Sequence, residues 1–482
     1  MPVLIDEAYH HFVDSPGLRV VKALNEQIRE DTIAKLRALG YEVLPSEANF
    51  FMVGLKTRRG RGRAGENGRG TVRERLMRFA LMLSLIVAGV SAAAPAAAAG
   101  TPTFTKDVAP IFYKSCIECH RATMFAPMSL TSYEDARPFV RAINQRVTAR
   151  TMPPWGSDMP HGVLKNDPRL TDAEVQTIVS WVDGGAPKGD IADMPKMPAL
   201  AEGWTIGKPD AVYSMIEDYP IPASGTIDYL YLRIPVNLPE DRWYTAVEIK
   251  PSARAHVHHI IAYTEPSSDK PTRPGNTFGP TNIFGVSPNK PGLVFEPGVA
   301  KLLRAHHDII LQMHYTTNGT AAADRTQLGF IFAKEPPRQI HVTGLAVQPR
   351  FVIPAGDANA EVKAVAEIRQ DTVLTSLTPH MHVRGKDMTY TATYPDGTSE
   401  VLLRVPKYDF NFQITYDLAR PKLLPKGTKV EVVAHFDNSP GNKFNPDPTK
   451  DVKWGDQTWE EMMIGFWGSV VDATAVPQQD KP

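Results

Sequence analysis

Proline limits this chain more than any other residue does. It supplies 42 of 482 residues, where an ordinary chain carries about 5%. Because proline has no backbone N–H and clashes inside helices and central strands, long regular elements are excluded and a loop-rich, largely β architecture is expected. The length allows several domains, each able to bury its own core. Lysine plus arginine equals aspartate plus glutamate at 53 each, so net charge points to neither a nucleic-acid nor a membrane partner.

Composition breaks the chain into segments. Arg73, Arg75 and Arg78 precede the apolar run Phe79–Val90, which small residues follow up to Ala99. That order marks a secretory signal over 77–99 and places the remainder in the periplasm or outside the cell. A run of 12 residues falls short of the roughly 20 that a membrane span needs, so no stable span is expected. Upstream, "VLIDEAYHHFVD" and "LRALGYEVLPSEANFFMV" within 1–57 resemble histidinol-phosphate aminotransferase, with Asp6 and Tyr9 matching. The lysine-bearing segment of that family is missing between Asp14 and Gly17, so this α/β fragment is not expected to form a complete domain. A basic linker occupies 58–76, and the expected start of the exported protein is near Met77.

A multidomain body follows. Residues 100–187 read as a small all-α unit: Thr131-Ser-Tyr-Glu134 and Thr171-Asp-Ala-Glu174 have the capping-box form, in which side chains satisfy the orphan N–H groups of a helix start. Val175, Ile178, Val179 and Val182 fall on one helical face before Gly184-Gly185, which ends the helix. A Pro-rich linker covers 188–203. Beyond it, "YLYLRIPV", "WYTAVEIK", "LGFIFA", "YTATYP" and "KVEVVAHF" are strand-like. So long a β region is expected to divide into two all-β, jelly-roll-like sandwich subdomains, 204–345 and 346–475.

The only cysteines, Cys116 and Cys119, stand in "CIECH" with His120. Two thiols on one helical turn can bond both vinyl groups of a haem while the next histidine ligates iron. No βαβ pattern favours a redox dithiol, and no further cysteine completes a zinc set. One covalent haem c is therefore expected. Met152 in "RTMPPW" is the expected distal ligand, which resemblance to class I cytochromes favours; Met128 and Met124 are its rivals. Thioether ligation raises the potential and suits electron transfer.

Downstream stand "AHVHHIIAY" (His256, His258, His259), "ILQMHY" (His314), "TPHMHVRGK" (His380, His382) and "WEEMMIGFW" (Met462, Met463). In a strand, the two imidazoles of HxH share a face. An adjacent pair can ligate together only where the strand twists or ends. In order and local sequence these segments resemble the ascorbate-dependent copper type II monooxygenases, the peptidylglycine and dopamine hydroxylases. The resemblance covers about residues 230–470. It implies two copper ions, one held by His258, His259 and His314, the other, where oxygen is activated, by His380, His382 and Met462. It further implies hydroxylation of a small organic substrate with O2, the electrons coming through the haem unit, from ascorbate, or from a redox protein. Thr378, Ile464 and Phe466 stand where the peptide hydroxylases carry polar substrate anchors. The resemblance therefore does not extend to a C-terminal glycine peptide, whose carboxylate would be unpaired in an apolar pocket.

His256, His306 and His307 lie outside the ligand pattern. A non-enzymatic electron-transfer or copper-binding protein is the competing reading. A cupin dioxygenase fits poorly, because Glu265 is seven residues after His258 where that family needs about four. Protein made in a host that matures c-type cytochromes is expected to begin close to Gly100 and to carry haem only when exported. N-terminal sequencing checks this, and residues 1–70 found intact on haem-loaded protein would overturn it.

Overall fold

The computed structural model describes residues 42–43, 53–54, 100–121, 124, 126–199, 203–268, 282–286 and 292–474. The chain divides into two units, Met1–Ala97 and Ala98–Pro482. In the first, the described residues form two short antiparallel strands, Glu42–Val43 and Val53–Gly54. The expected basic linker and signal segment lie outside the described residues, as does most of the aminotransferase-like fragment. No described helix is long and apolar enough to cross a membrane.

The second unit is mostly β. Its helices are α1 (Ala109–Ser115), α2 (Tyr133–Ala136), α3 (Val140–Thr148) and α4 (Asp172–Asp183). They pack around Phe104, Phe112 and Trp181, all essentially without exposure, with ring centroids 5.9–6.4 Å apart. Thr171 and Glu174 form the reciprocal capping box at the start of α4. At α2 the cap sits one residue later than the sequence pattern suggests: Ser132 accepts from the Asp135 N–H. Thr131 instead joins Ser129 on the Asp135 carboxylate.

The strands that position the candidate site are β1 (Ala211–Ser214), β2 (Leu230–Ile234), β3 (Arg242–Lys250), β4 (Val257–Pro266) and β5 (Asn282–Val286). They continue as β6 (Val299–Leu303), β7 (His307–Tyr315), β8 (Gln327–Phe332) and β9 (Gln339–Val347). The C-terminal set is β10 (Ala360–Glu367), β11 (Thr372–His380), β12 (Gly385–Thr393), β13 (Ser399–Val405), β14 (Tyr416–Leu424), β15 (Lys429–Phe436) and β16 (Ile464–Asp472).

One nine-stranded sheet runs in the order β14-β11-β16-β9-β6-β3-β8-β1, with Gly292–Val294 on β3. Two four-stranded sheets, β2-β7-β4-β5 and β10-β15-β12-β13, each cover one half of it. Each layer pair has its own core, one around Tyr244, Ile260, Leu311 and Phe330, the other around Leu377, Tyr390, Val432 and Trp467. Position 345, expected to separate two subdomains, lies inside β9. That strand pairs with β6 on one side and β16 on the other, so the two sandwiches share a sheet. The segment after α3 also departs from its expected unit: Trp155 and Leu164 are buried in the C-terminal sandwich.

The alternation of "QMHY" in β7 shows how this sheet builds a site. Met313 and Tyr315 enter the sandwich core, so Gln312 and His314 belong to the opposite face. Tyr315 is anchored through its hydroxyl, which donates to the buried Asp324 carboxylate at 2.8 Å. Asp324 also accepts from Thr326 Oγ1, the Ala253 N–H and Ser252 Oγ, fixing the loop that leads into β4. Asp324→Ala is expected to cost about 3 kcal/mol or more, because two buried hydroxyls lose their acceptor. Chemical denaturation checks this, with Asp324→Asn as the milder variant.

Candidate metal centre

His258, His259 and His314 place their ligand atoms within 4.8 Å of one another. In a regular strand His258 and His259 would face opposite ways. Here His314 pairs with His259 while Tyr315 pairs with Val257, so His258 is the extra residue of a β-bulge. Such an insertion re-aims a side chain. The Nδ1 atoms of His258 and His259 come to 3.1 Å, a separation that fits two ligands about 2.0–2.1 Å from one ion. His314 Nδ1 is buried with no hydrogen-bond partner, the condition of a nitrogen kept for a ligand.

The second group forms where β11 ends. His380 and His382 have ring centroids 5.4 Å apart at 89°. Gln413 Oε1 lies 2.7 Å from His380 Nδ1, and the Glu460 carbonyl lies 3.1 Å from His382 Nδ1. Each contact fixes its ring through Nδ1; His382 Nε2 has no hydrogen-bond partner. The buried Glu461 carboxylate accepts from the backbone N–H groups of His382 and Arg384 at 2.8 and 2.7 Å. Burial pushes this carboxyl up to about 8, against the pull of those N–H groups and the Arg384 charge.

Met462 is 1% exposed and lies between Glu461 and Ile464, the latter paired with His380. Its neighbour Met463 belongs to the C-terminal hydrophobic core; Met462 does not.

Aromatic rings bring the two groups together. Tyr229 lies 4.6 Å from His314 and 6.5 Å from His382. Phe410 stacks on His258 at 4.9 Å and approaches His382 at 6.0 Å. Tyr231 accepts from Gln312 and donates to Asp456, tying β7 to the loop that carries Glu460 and Glu461. Tyr229, Tyr231, Phe410 and Gln413 do not stand out in the sequence, because each is a single residue with no spacing signal. The three histidines outside the pattern serve elsewhere: His256 Nε2 meets the Thr320 carbonyl, His307 Nδ1 meets that of Ala305, and His306 sits in a left-handed turn.

In the helical part, Cys116, Cys119 and His120 share one turn, the Cys119 and His120 N–H groups both donating to the Cys116 carbonyl. Both cysteines are free thiols. His120 Nδ1 lies 3.1 Å from the Met128 carbonyl, leaving Nε2 as the nitrogen for a ligand. Met128 thus meets this ring through its backbone. Met152 lies in a loop whose continuation is anchored by Trp155, which packs on Tyr416 at 4.9 Å. Arg254 lies near both centres: its charge lowers the Cys119 thiol against the rise that burial imposes, and adds to the burial that lowers His258.

No family model and no curated protein matches the chain. Similar solved structures include the major capsid protein P2 of bacteriophage PM2, with 9% identity over 55% of this chain and 99% of that chain and a TM-score of 0.24. They also include infectious bursal disease virus Gx strain, with 11% identity over 56% and 74% and a TM-score of 0.19. Allantoicase shows 8% identity over 46% and 79%, with a TM-score of 0.14. Likeness at this level carries no argument about function.

Burial holds the imidazoles neutral. It lowers His380 to about 4, His382 to about 3, His314 to about 2 and His259 well below its ordinary range, with neighbouring histidines adding to the effect at the last three. Above pH 6.5 folded and unfolded chains are both neutral at these sites. Below it the unfolded chain takes up protons that the folded chain refuses, so stability falls with pH. The slope is about 1.4 kcal/mol per pH unit for each such histidine. Urea denaturation of metal-free protein at pH 7 and pH 5 is expected to show this loss, and equal midpoints would contradict it.

Proposed function

We propose that the chain beyond about residue 100 is an exported copper-dependent monooxygenase with a tethered c-type haem. One observation carries the reading: two imidazole groups, in which His314 Nδ1 and His382 Nε2 are buried without a hydrogen-bond partner, are both in contact with the rings of Tyr229 and Phe410. His258, His259 and His314 would hold one copper, and His380, His382 and Met462 the other. Imidazole suits copper, and a thioether favours Cu(I) over zinc. Copper bound there would supply one-electron chemistry toward O2.

The protein's own part is positioning. Gln413 and the Glu460 carbonyl hold the rings of His380 and His382, and Glu461 fixes the turn between β11 and Arg384. Tyr229 and Phe410 lay aromatic rings against both groups. Burial keeps every ligand imidazole in the neutral form that a metal needs.

Cys116, Cys119 and His120 would carry the haem, with Met152 as the distal ligand, and this group would supply electrons one at a time. The carbonyl at His120 Nδ1 fits that role, since such a bond strengthens a histidine ligand. A donor on the same chain acts at high effective concentration and would supplement or replace ascorbate. The substrate is a small organic molecule whose C–H bond is hydroxylated with O2, and the periplasm or extracellular space is the proposed location.

Copper loading is expected to give two ions per chain. Gln413→Leu should weaken only the second ion, by about 10- to 100-fold. Met462→Ile, apolar and close in volume, should keep the fold and lose oxygen-dependent turnover. One copper or none after loading, or full turnover in Met462→Ile, would end the monooxygenase reading.

A further inference from the structure

A cavity of about 140 Å³ opens between the strands around His259 and the shared sheet near His380, with both histidines in its wall. Its polar side is a row across adjacent strands of that sheet. Thr343 on β9 pairs with Gly468 on β16, which pairs with Ser376 on β11. Lys301 on β6 completes the row, donating from Nζ to Thr343 Oγ1 at 3.1 Å and to the Ile283 carbonyl at 3.3 Å. Phe466 and Leu293 are among its apolar lining.

Lys301 is the anomaly. It is only 7% exposed, both of its acceptors are neutral, and no carboxylate among the described residues forms an ion pair with it. A buried ammonium without a counter-charge is costly. Burial accordingly lowers it to about 7. The space beside it depends on Gly468: a Cβ there would come within 2.5 Å of Ser376 Oγ and 2.9 Å of His341 Nε2. The strand therefore carries a glycine where the row would otherwise close.

We propose that this cavity binds a small monocarboxylate with an apolar body, its carboxylate paired with Lys301 beside Thr343 and Ser376. A carboxylate supplies the missing counter-charge and forms charge-assisted hydrogen bonds. A cationic ligand would be repelled, and a neutral one would leave the lysine unpaired. A phosphate dianion would itself be under-compensated, because Lys301 is the one cationic side chain in the lining. The apolar body lies against Phe466 and reaches toward His380. Binding itself needs no metal; only the assignment of this carboxylate as substrate rests on the monooxygenase reading.

The test is calorimetric titration of the full chain, stripped of metal by chelation, with benzoate, its neutral analogue benzamide and the cation benzylamine. Benzoate is expected to bind at least about tenfold more tightly than either. Lys301→Met should abolish that preference and raise the melting temperature, because it removes an unpaired buried charge without a large change in volume. Gly468→Ala should weaken benzoate binding by filling the row. If Lys301→Met does not fold, Thr343→Val is judged by the same preference. Equal binding of benzoate and benzamide, no benzoate binding, or a preference that survives Lys301→Met would overturn the proposal. Copper content read in parallel separates the two ideas. A chain that prefers benzoate but holds no copper sustains the pocket and ends the enzyme reading, whereas two coppers without benzoate binding overturn the pocket.

Discussion

Val299 faces Gln339 and Ala300 faces Ile340 in the short parallel contact between β6 and β9, and through it two sandwiches become neighbours in one sheet. Domains joined by a linker move relative to one another by default. Here hydrogen bonding continues from the N-terminal half of the sheet into β16, which leads out of the segment holding Glu461 and Met462. The four-stranded sheet that carries His258, His259 and His314 is packed on one half of that frame, and His380 ends a strand of the other half. Tyr231 and Asp456 add a cross-link near the site itself. The separation of the two histidine groups is thus set by sheet geometry rather than by a hinge.

Within that frame the centre gathers polar groups with little exposure. His259, His314, His380 and His382 are buried and His258 is half-buried among Tyr229, Phe410 and core residues, and they are tolerated because burial makes them neutral. Acidic and basic side chains are kept one layer back. Arg384 and Glu461 are buried together, with Arg384 also donating to Asn438 and the Trp459 carbonyl. Such a pair adds little net stability once desolvation is counted. Its effect is geometric, since the carboxylate grips the two backbone N–H groups that set the course of the chain through His382.

Much of this was legible from residue pattern, and the failures have identifiable causes. "KVEVVAHF" coincides with β15 because alternation and flanking turn residues agree there. The capping box at Thr171 is real, whereas the similar pattern at Thr131 is displaced by one residue because Asp135, not Glu134, meets the cap. The ligand candidates stood out because histidines clustered in short motifs. The bulge at His258 did not, since an extra residue in one strand is defined only by its partner strand. Lys301 was equally invisible. "VAKLL" reads as an ordinary strand with one solvated lysine, and its burial depends on Ile283 and Thr343, which approach from other strands.

The segment after α3 ties the helical part to strands made much later. Tyr416 donates to the Trp155 carbonyl, Ser157 Oγ donates to the Arg404 carbonyl at 2.8 Å, and Leu164 bridges Leu418. These contacts span more than two hundred residues of chain, and Trp155 lies in a core otherwise built mainly from residues beyond 346. Contacts of such separation carry a loop-closure cost and form late. A chain emerging from its N-terminal end can close the Phe104–Trp181 core early, but the stretch around Trp155 must wait with its indole exposed. The helical part therefore acquires its final anchorage among the last events of folding, although it is synthesised first.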